Sequence, residues 1–248
     1  MGSVIDRLAA SDTGFVVVGG ADPNPATEKT YPVWSDTSDC AVEYDVLIDY
    51  SHPSALPSLL RLAERSAKPS VICTTGLSED QLSQLRTFSQ SHAVFQSANM
   101  SLGINLLLDL VQKAAATLGP EYNIEVVETH HNQKLDAPSG TALMIAQAAK
   151  EARDGREDTT DGPASHFVFD RHTRRAVRDD REIGIHSIRG GNVVGEHEVL
   201  FAGPDEVVKI SHSISSRDMF ARGALAAARF MNDKKTGWYS MADLIQGH

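Results

Sequence analysis

Short apolar runs and helical stripes alternate through the first hundred residues. Val4 to Ala10 sets Ile5, Leu8 and Ala9 on one helical face, and Phe15-Val16-Val17-Val18 reads as a buried strand stopped by Gly19-Gly20. Asp45 to Tyr50 is a second apolar run. Leu56, Leu59, Leu60 and Leu62 follow at helical spacing, and Val71-Ile72-Cys73 makes a third strand. Ser78-Glu79-Asp80-Gln81 has the form of a capped helix start ahead of Leu82, Leu85 and Phe88. Ala93-Val94-Phe95 is a fourth strand. Uninterrupted apolar strands separated by helices predict an α/β unit with a parallel sheet covered on both faces.

Ser101 to Leu118 is rich in Leu and Ala and closes on Gly119-Pro120, which predicts a long helix. Beyond it the pattern changes. Ile124 to Thr129 reads as a strand and Thr141 to Arg153 as a helix. Ile183 to Arg189, Glu198 to Ala202 and Val207 to Ile214 read as strands of a more antiparallel kind, with Gly203-Pro204-Asp205 turning between the last two. Ser165 to Arg181 is charged and turn-prone, and Phe220 to Met231 forms a final Ala-rich helix. The layout is an α/β unit, an inserted α+β unit, and a C-terminal helix returning to the first.

The 248 residues suffice for one large domain or two modest ones. A net charge of −10 disfavours nucleic acid and anionic membranes as partners. No apolar run reaches the ~18 residues of a membrane helix. Two cysteines, Cys40 and Cys73, make no disulfide framework, which suits a reducing cytoplasm.

The densest polar constellation runs from Glu128 to Thr141, where a strand ends, a loop crosses and a helix opens. His130 and His131 are adjacent on extended backbone and point to opposite faces, so they do not chelate one metal. No pattern elsewhere demands a metal. Ser139-Gly140-Thr141 at a helix start offers N–H groups and hydroxyls to an anion, and Lys134 adds a charge and a proton donor. These parts suit a small carboxylate that must accept a proton; a helix cap beside a decorated loop is the competing account. The Gly-x-Ser-x-Gly elbow of a hydrolase is absent around Ser139. Cys73-Thr74-Thr75-Gly76 and Ser97-Ala98-Asn99-Met100 follow strands, where α/β sheets bind ligands, although ordinary turns look the same. Asp22 could accept from a nucleotide ribose or belong to a plain turn. Arg171, Arg174, Arg175, Arg178 and Arg181 interleave with acids and read as a solvated loop, and His197 and His212 as satisfied core histidines.

The run His-His-x-x-Lys-x-Asp-Ala-Pro-Ser-Gly-Thr-Ala from His130 resembles the signature of the 4-hydroxy-tetrahydrodipicolinate (dihydrodipicolinate) reductases. Asp45 to Ser51, Cys73 to Gly76, Ser97 to Asn105, Arg189 to His197, His212 to Gly223 and Gly237-Trp238-Tyr239 follow in the family's order. The resemblance implies a Rossmann-like domain and a cytoplasmic reduction with NADH or NADPH by a homotetramer, on the diaminopimelate route to lysine. It places His130 at the reacting ring and makes Lys134 the proton donor. His131, Lys134, Gly140 and Thr141 would hold the substrate carboxylates, beside Ser139. Cys73, Thr74, Thr75, Ser97, Ala98, Asn99 and Met100 would line the nicotinamide side, with Asp22 at the adenosine ribose and Arg217 and Phe220 near the cofactor. Residues 1–102 and 217–248 would form the dinucleotide-binding domain, and 103–216 the substrate-binding and oligomerisation domain.

The sequence departs from the family pattern at two places. Met1-Gly2-Ser3-Val4 falls inside the glycine-rich phosphate loop, with the preceding strand absent, and Cys73 stands where glycine is common. Either the working chain is longer, the favoured expectation, or this chain is an impaired ligand-binding or assembly homologue. Asp22-Pro23-Asn24 offers no cation for a 2′-phosphate, which leans to NADH.

Overall fold

The computed structural model describes residues 1–24, 29–156, 164–173 and 175–247. The chain divides into two compact units: Met1–Leu102 with Asp218–His248, and Gly103–Arg217.

The first unit is built on a parallel four-stranded sheet. Its strands β3 (Leu47–Asp49), β4 (Ser70–Ile72), β5 (Ala93–Gln96) and β11 (Gly237–Tyr239) lie in the order β11-β5-β4-β3. Side chains alternate across it. Val71, Cys73, Ala93 and Phe95 pack on helix α6 (Asp218–Met231) through Ala224, Ala227, Ala228 and Met231. Ile72 and Val94 pack on the other face with Leu56 of α2 (Leu56–Ser66) and Leu85 of α3 (Glu79–Ser89). Ser78 and Gln81 close a full capping box at the start of α3. Leu8 and Ala9 of α1 (Gly2–Ala10) meet Ala221 and Leu225 of α6.

The expected strand at Phe15–Val18 is not formed. Pairing begins two residues later, where β1 (Gly20–Ala21) runs parallel to β2 (Val33–Trp34) in a separate ribbon. Among the described residues nothing pairs with Phe15–Val18, and a strand exists only through its ladder partner. Val16 is accordingly 84% exposed, although its neighbours Phe15 and Val17 reach the core.

The second unit is a mixed five-stranded sheet in the order β10-β9-β6-β8-β7. These are β6 (Asn123–His130), β7 (His166–Val168), β8 (Glu182–Arg189), β9 (Gly195–Ala202) and β10 (Val207–Ile214). One face is covered by α4 (Leu102–Leu118) and α5 (Gly140–Asp154) through Ile104, Leu107, Val111, Ile145 and Ala146. Register sets the chemistry of that face. Ile124 lies beside Ile183 and Phe201, and Val126 beside Ile185 and Val199. One pleat further Glu128 lies beside Ser187 and His197, and then His130 beside Arg189. The buried face thus turns from apolar to polar toward the C-terminal end of β6.

The arginine-rich segment is more tightly held than a solvated loop. Arg171 donates twice to the buried Glu182, and Arg178 donates to Glu125 at 2.9 Å and to the carbonyls of Ile124 and Glu182. Arg174 lies outside the described residues.

Candidate active site

Glu128 and His130 are two residues apart on β6 and share its buried face. Donors from several strands and the α5 start converge on the Glu128 carboxylate. His130 Nδ1 lies 2.5 Å from Oε2, Arg189 grips both oxygens at 2.8 Å, and the Ser139 N–H reaches Oε1 at 3.1 Å. Burial alone would raise this carboxyl's pKa; the hydrogen bonds from Arg189, His130, Ser187 and Ser139 outweigh it and bring it down to about 2.

Arg189 Nη2 also donates to the Asp136 carbonyl at 2.6 Å, which ties down the loop between β6 and α5. The Gly190 N–H to His130 O and Asn132 N–H to Gly191 O bonds hold this loop to the one after β8. Lys134 pairs with Asp136 at 2.8 Å, and that ammonium draws the Asp136 carboxyl below the usual range.

Ser139 is buried and spends its polar groups within the protein. Its N–H goes to Glu128, and its Oγ accepts from the Ala142 N–H as the N-cap of α5. Its part is to hold the helix start. Gly140, exposed and with open space where a Cβ would lie, and the half-buried Thr141 are the first helical residues. His131 is half-exposed, just past the strand.

His197 stands opposite Glu128 on β9, its ring edge-on to His130 at 5.3 Å and its Nε2 3.3 Å from Ser139 Oγ. Burial first, then the nearby charge of His130, lowers its pKa to about 4. His212 is its cross-strand neighbour and is lowered by burial. Neither is the satisfied core histidine expected, since the Nδ1 of each is buried with no hydrogen-bond partner among the described residues. Glu128 and Arg189 were given no role from sequence. The Glu-x-His alternation was the available signal for Glu128; Arg189 depends on strand register, which no local pattern displays.

In the first unit, the turns after β4 and β5 lie side by side because their strands are paired. Cys73 and Thr74 are buried, and Thr74 Oγ1 donates to Asp49 Oδ2 at 2.7 Å. Burial pushes the Cys73 thiol up, away from thiolate chemistry. Thr75 is exposed ahead of Gly76, whose φ is +74°. In the second turn, Ser97 Oγ donates to the Asn99 carbonyl, Asn99 Oδ1 accepts from the Ser101 N–H, Ala98 is exposed and Met100 is buried. Asp22 follows β1 and accepts from the Asn24 N–H. Phe220 packs against the core of the first unit and its carbonyl accepts from Tyr50; Arg217 is exposed and ends the second unit.

Among the described residues, no cluster of three His, Cys, Asp or Glu could hold a metal, and no helix is long and apolar enough to cross a membrane.

Family descriptions for the N-terminus and C-terminus of dihydrodipicolinate reductase match residues 1–100 and 103–245. The chain belongs to the dihydrodipicolinate reductase family. It is 46% identical over 246 residues to the 4-hydroxy-tetrahydrodipicolinate reductase of Caldanaerobacter subterraneus subsp. tengcongensis, covering 99% of this chain and 94% of that one. The enzyme of the same name from Clostridium novyi is 42% identical over the same shares. Among solved structures, a dipicolinate-bound dihydrodipicolinate reductase from Paenisporosarcina sp. TG-14 has the same fold, with TM-score 0.79 at 24% identity over 98% of this chain and 94% of that one. The dihydrodipicolinate reductase likeness thus spans both units and includes the β6–α5 corner.

Proposed function

We propose that this chain reduces 4-hydroxy-tetrahydrodipicolinate to tetrahydrodipicolinate with NADH or NADPH, in diaminopimelate and lysine biosynthesis. The β6–α5 corner carries the reading: a clamped imidazole, an ammonium and the opening turn of a helix, joined by one hydrogen-bond network. The dipicolinate held by the Paenisporosarcina relative supports a dicarboxylate as the ligand class.

The first-turn N–H groups at Gly140 and Thr141 suit a carboxylate, with His131 and Lys134 adding donors. Ser139 keeps that turn in place. Lys134 stabilises the electron density left in the ring and protonates it, while His130 stands at the reacting ring. Asp136 keeps the ammonium at the corner before substrate arrives.

Residues of the first unit fit a nicotinamide dinucleotide. Gly76 has the left-handed backbone and open space that let a ligand approach closely. Thr75, Ala98 and their neighbours in the Cys73–Gly76 and Ser97–Met100 turns would hold the nicotinamide side, with Phe220 nearby. Asp22 would take the ribose. A bound NAD(P)H supplies the hydride. Asp22-Pro23-Asn24 presents acceptors and no cation, which favours NADH.

The sheet face of the second unit opposite α4 and α5 leaves Ile188 and Val207 half-exposed, which supports assembly there into a homotetramer. Two unpaired cysteines support a cytoplasmic setting, and the acidic balance disfavours nucleic acid and membrane partners.

Reduction of the substrate, followed by loss of reduced-nicotinamide absorbance, tests the reading. His130→Ala and Lys134→Ala should each lower turnover about 10²-fold or more. Near-wild-type rates in both variants would remove these roles. Binding of pyridine-2,6-dicarboxylate without turnover on either cofactor would favour an impaired, ligand-binding homologue.

A further inference from the structure

We propose that Glu128, gripped by Arg189, is the positioning residue of the site: it accepts a hydrogen bond from the Nδ1–H of His130 and so presents Nε2 for the chemistry. The catalytic part of this inference rests on the function proposed above; the tautomer does not.

Glu128 is fully buried, and a carboxylate in that position persists only when paired and hydrogen-bonded. Arg189 supplies a two-pronged grip, one nitrogen on each oxygen. An ionised carboxylate has no proton to give, so every partner must donate to it. His130 Nδ1 at 2.5 Å therefore carries hydrogen, and whenever the ring is uncharged Nε2 is its acceptor.

The surroundings offer Nδ1 no competing assignment. His197 meets the His130 ring edge to face, and its own Nε2 is spent on Ser139. The Lys134 ammonium is paired with Asp136, and Arg189 has no lone pair to accept a proton. Around Nε2 the chain makes room, since a Cβ added at Gly195 would come within 3.1 Å of it.

The same carboxylate also joins the parts that must stay in register. Through Arg189 it reaches the Asp136 carbonyl and hence the Lys134 loop; through the Ser139 N–H it reaches the start of α5. Imidazole, ammonium and helix start are thus aligned from one buried group, and misplacement of reacting groups by about 1 Å costs rate steeply.

Long-range proton–nitrogen spectra of the histidine rings, recorded on the purified chain above neutral pH, test this directly. The His130 signals are assigned from their loss in His130→Gln. The wild type should show the Nδ1–H form. In Glu128→Gln that preference should be lost, and kcat should fall about 10- to 100-fold while the dissociation constant for pyridine-2,6-dicarboxylate changes far less. Glu128→Asp should restore Nδ1–H and part of kcat. A wild-type spectrum in the Nε2–H form would overturn the proposal without any variant, which covers the case in which Glu128→Gln fails to fold. Glu128→Gln with an unchanged tautomer, or with kcat unchanged, would overturn it too. Failure of the wild type to reduce substrate would strike the functional reading and leave the tautomer result standing.

Discussion

His197 makes stability of the second unit fall in mild acid. Its imidazole titrates near 4 in the fold, against 6.5 when free, chiefly because burial disfavours the charged ring. His130, His212 and Lys134 add to that effect, and Glu128 opposes it. Between these two values the unfolded chain binds a proton that the native chain refuses. The contribution is therefore intact above about pH 6.5 and drains away as pH falls toward 4. Proton linkage gives about 2 kcal/mol lost between about pH 7 and pH 5, and about 3 kcal/mol in all. The perturbation is His197→Gln, which keeps a neutral polar group beside Ser139 but cannot titrate. Urea unfolding across this pH range, followed by far-ultraviolet circular dichroism, measures the difference between the two proteins. Groups remote from His197 titrate in both and cancel. Trp34 and Trp238 both lie in the first unit, so their fluorescence is an internal control. The wild-type advantage should shrink by about 2 kcal/mol on acidification. Parallel pH curves for the two proteins would mean that His197 takes up its proton equally in the folded and unfolded chain.

Removing the cap of α5 with Ser139→Ala should cost about 1 kcal/mol, read as a lower urea midpoint by circular dichroism, because the Ala142 N–H loses its acceptor. In the first unit, a Cβ at Gly223 would be driven into the Met100 carbonyl, where α6 passes over the turn after β5. Gly223→Ala should therefore destabilise that unit by about 1–3 kcal/mol, seen in tryptophan fluorescence. An unchanged midpoint would mean that α6 does not pack so closely.

Most elements of the fold were legible because burial imposes its period locally. Val207–Ile214 alternates cleanly and forms a strand with those bounds, and Ser78 with Gln81 announces the start of α3 within four residues. Phe15–Val18 shows the limit of such reading. Its composition is that of a buried strand, but strand formation depends on a partner that apolar content cannot report. Arg171 and Arg178 misread in the opposite sense. Their alternation with acids suggests solvation, yet they are the counter-charges of Glu182 on β8 and of Glu125 on its parallel neighbour β6.

The site divides along the same line. His130 to Thr141 is one continuous stretch that joins a strand to a helix, so its residue types could be read together. What gives the stretch its chemistry comes from elsewhere: Arg189 arrives by parallel pairing of β6 with β8, and His197 by antiparallel pairing of β6 with β9. Both land on Glu128 and His130 because the apolar pairs one and two pleats earlier fix the register. A slip of one residue would turn Ile124, Val126, Glu128 and His130 to the opposite face together. The hydrophobic core of this unit and its polar corner are consequently one construction, with Ile124, Ile183 and Phe201 at one end of the strand deciding which groups meet at the other.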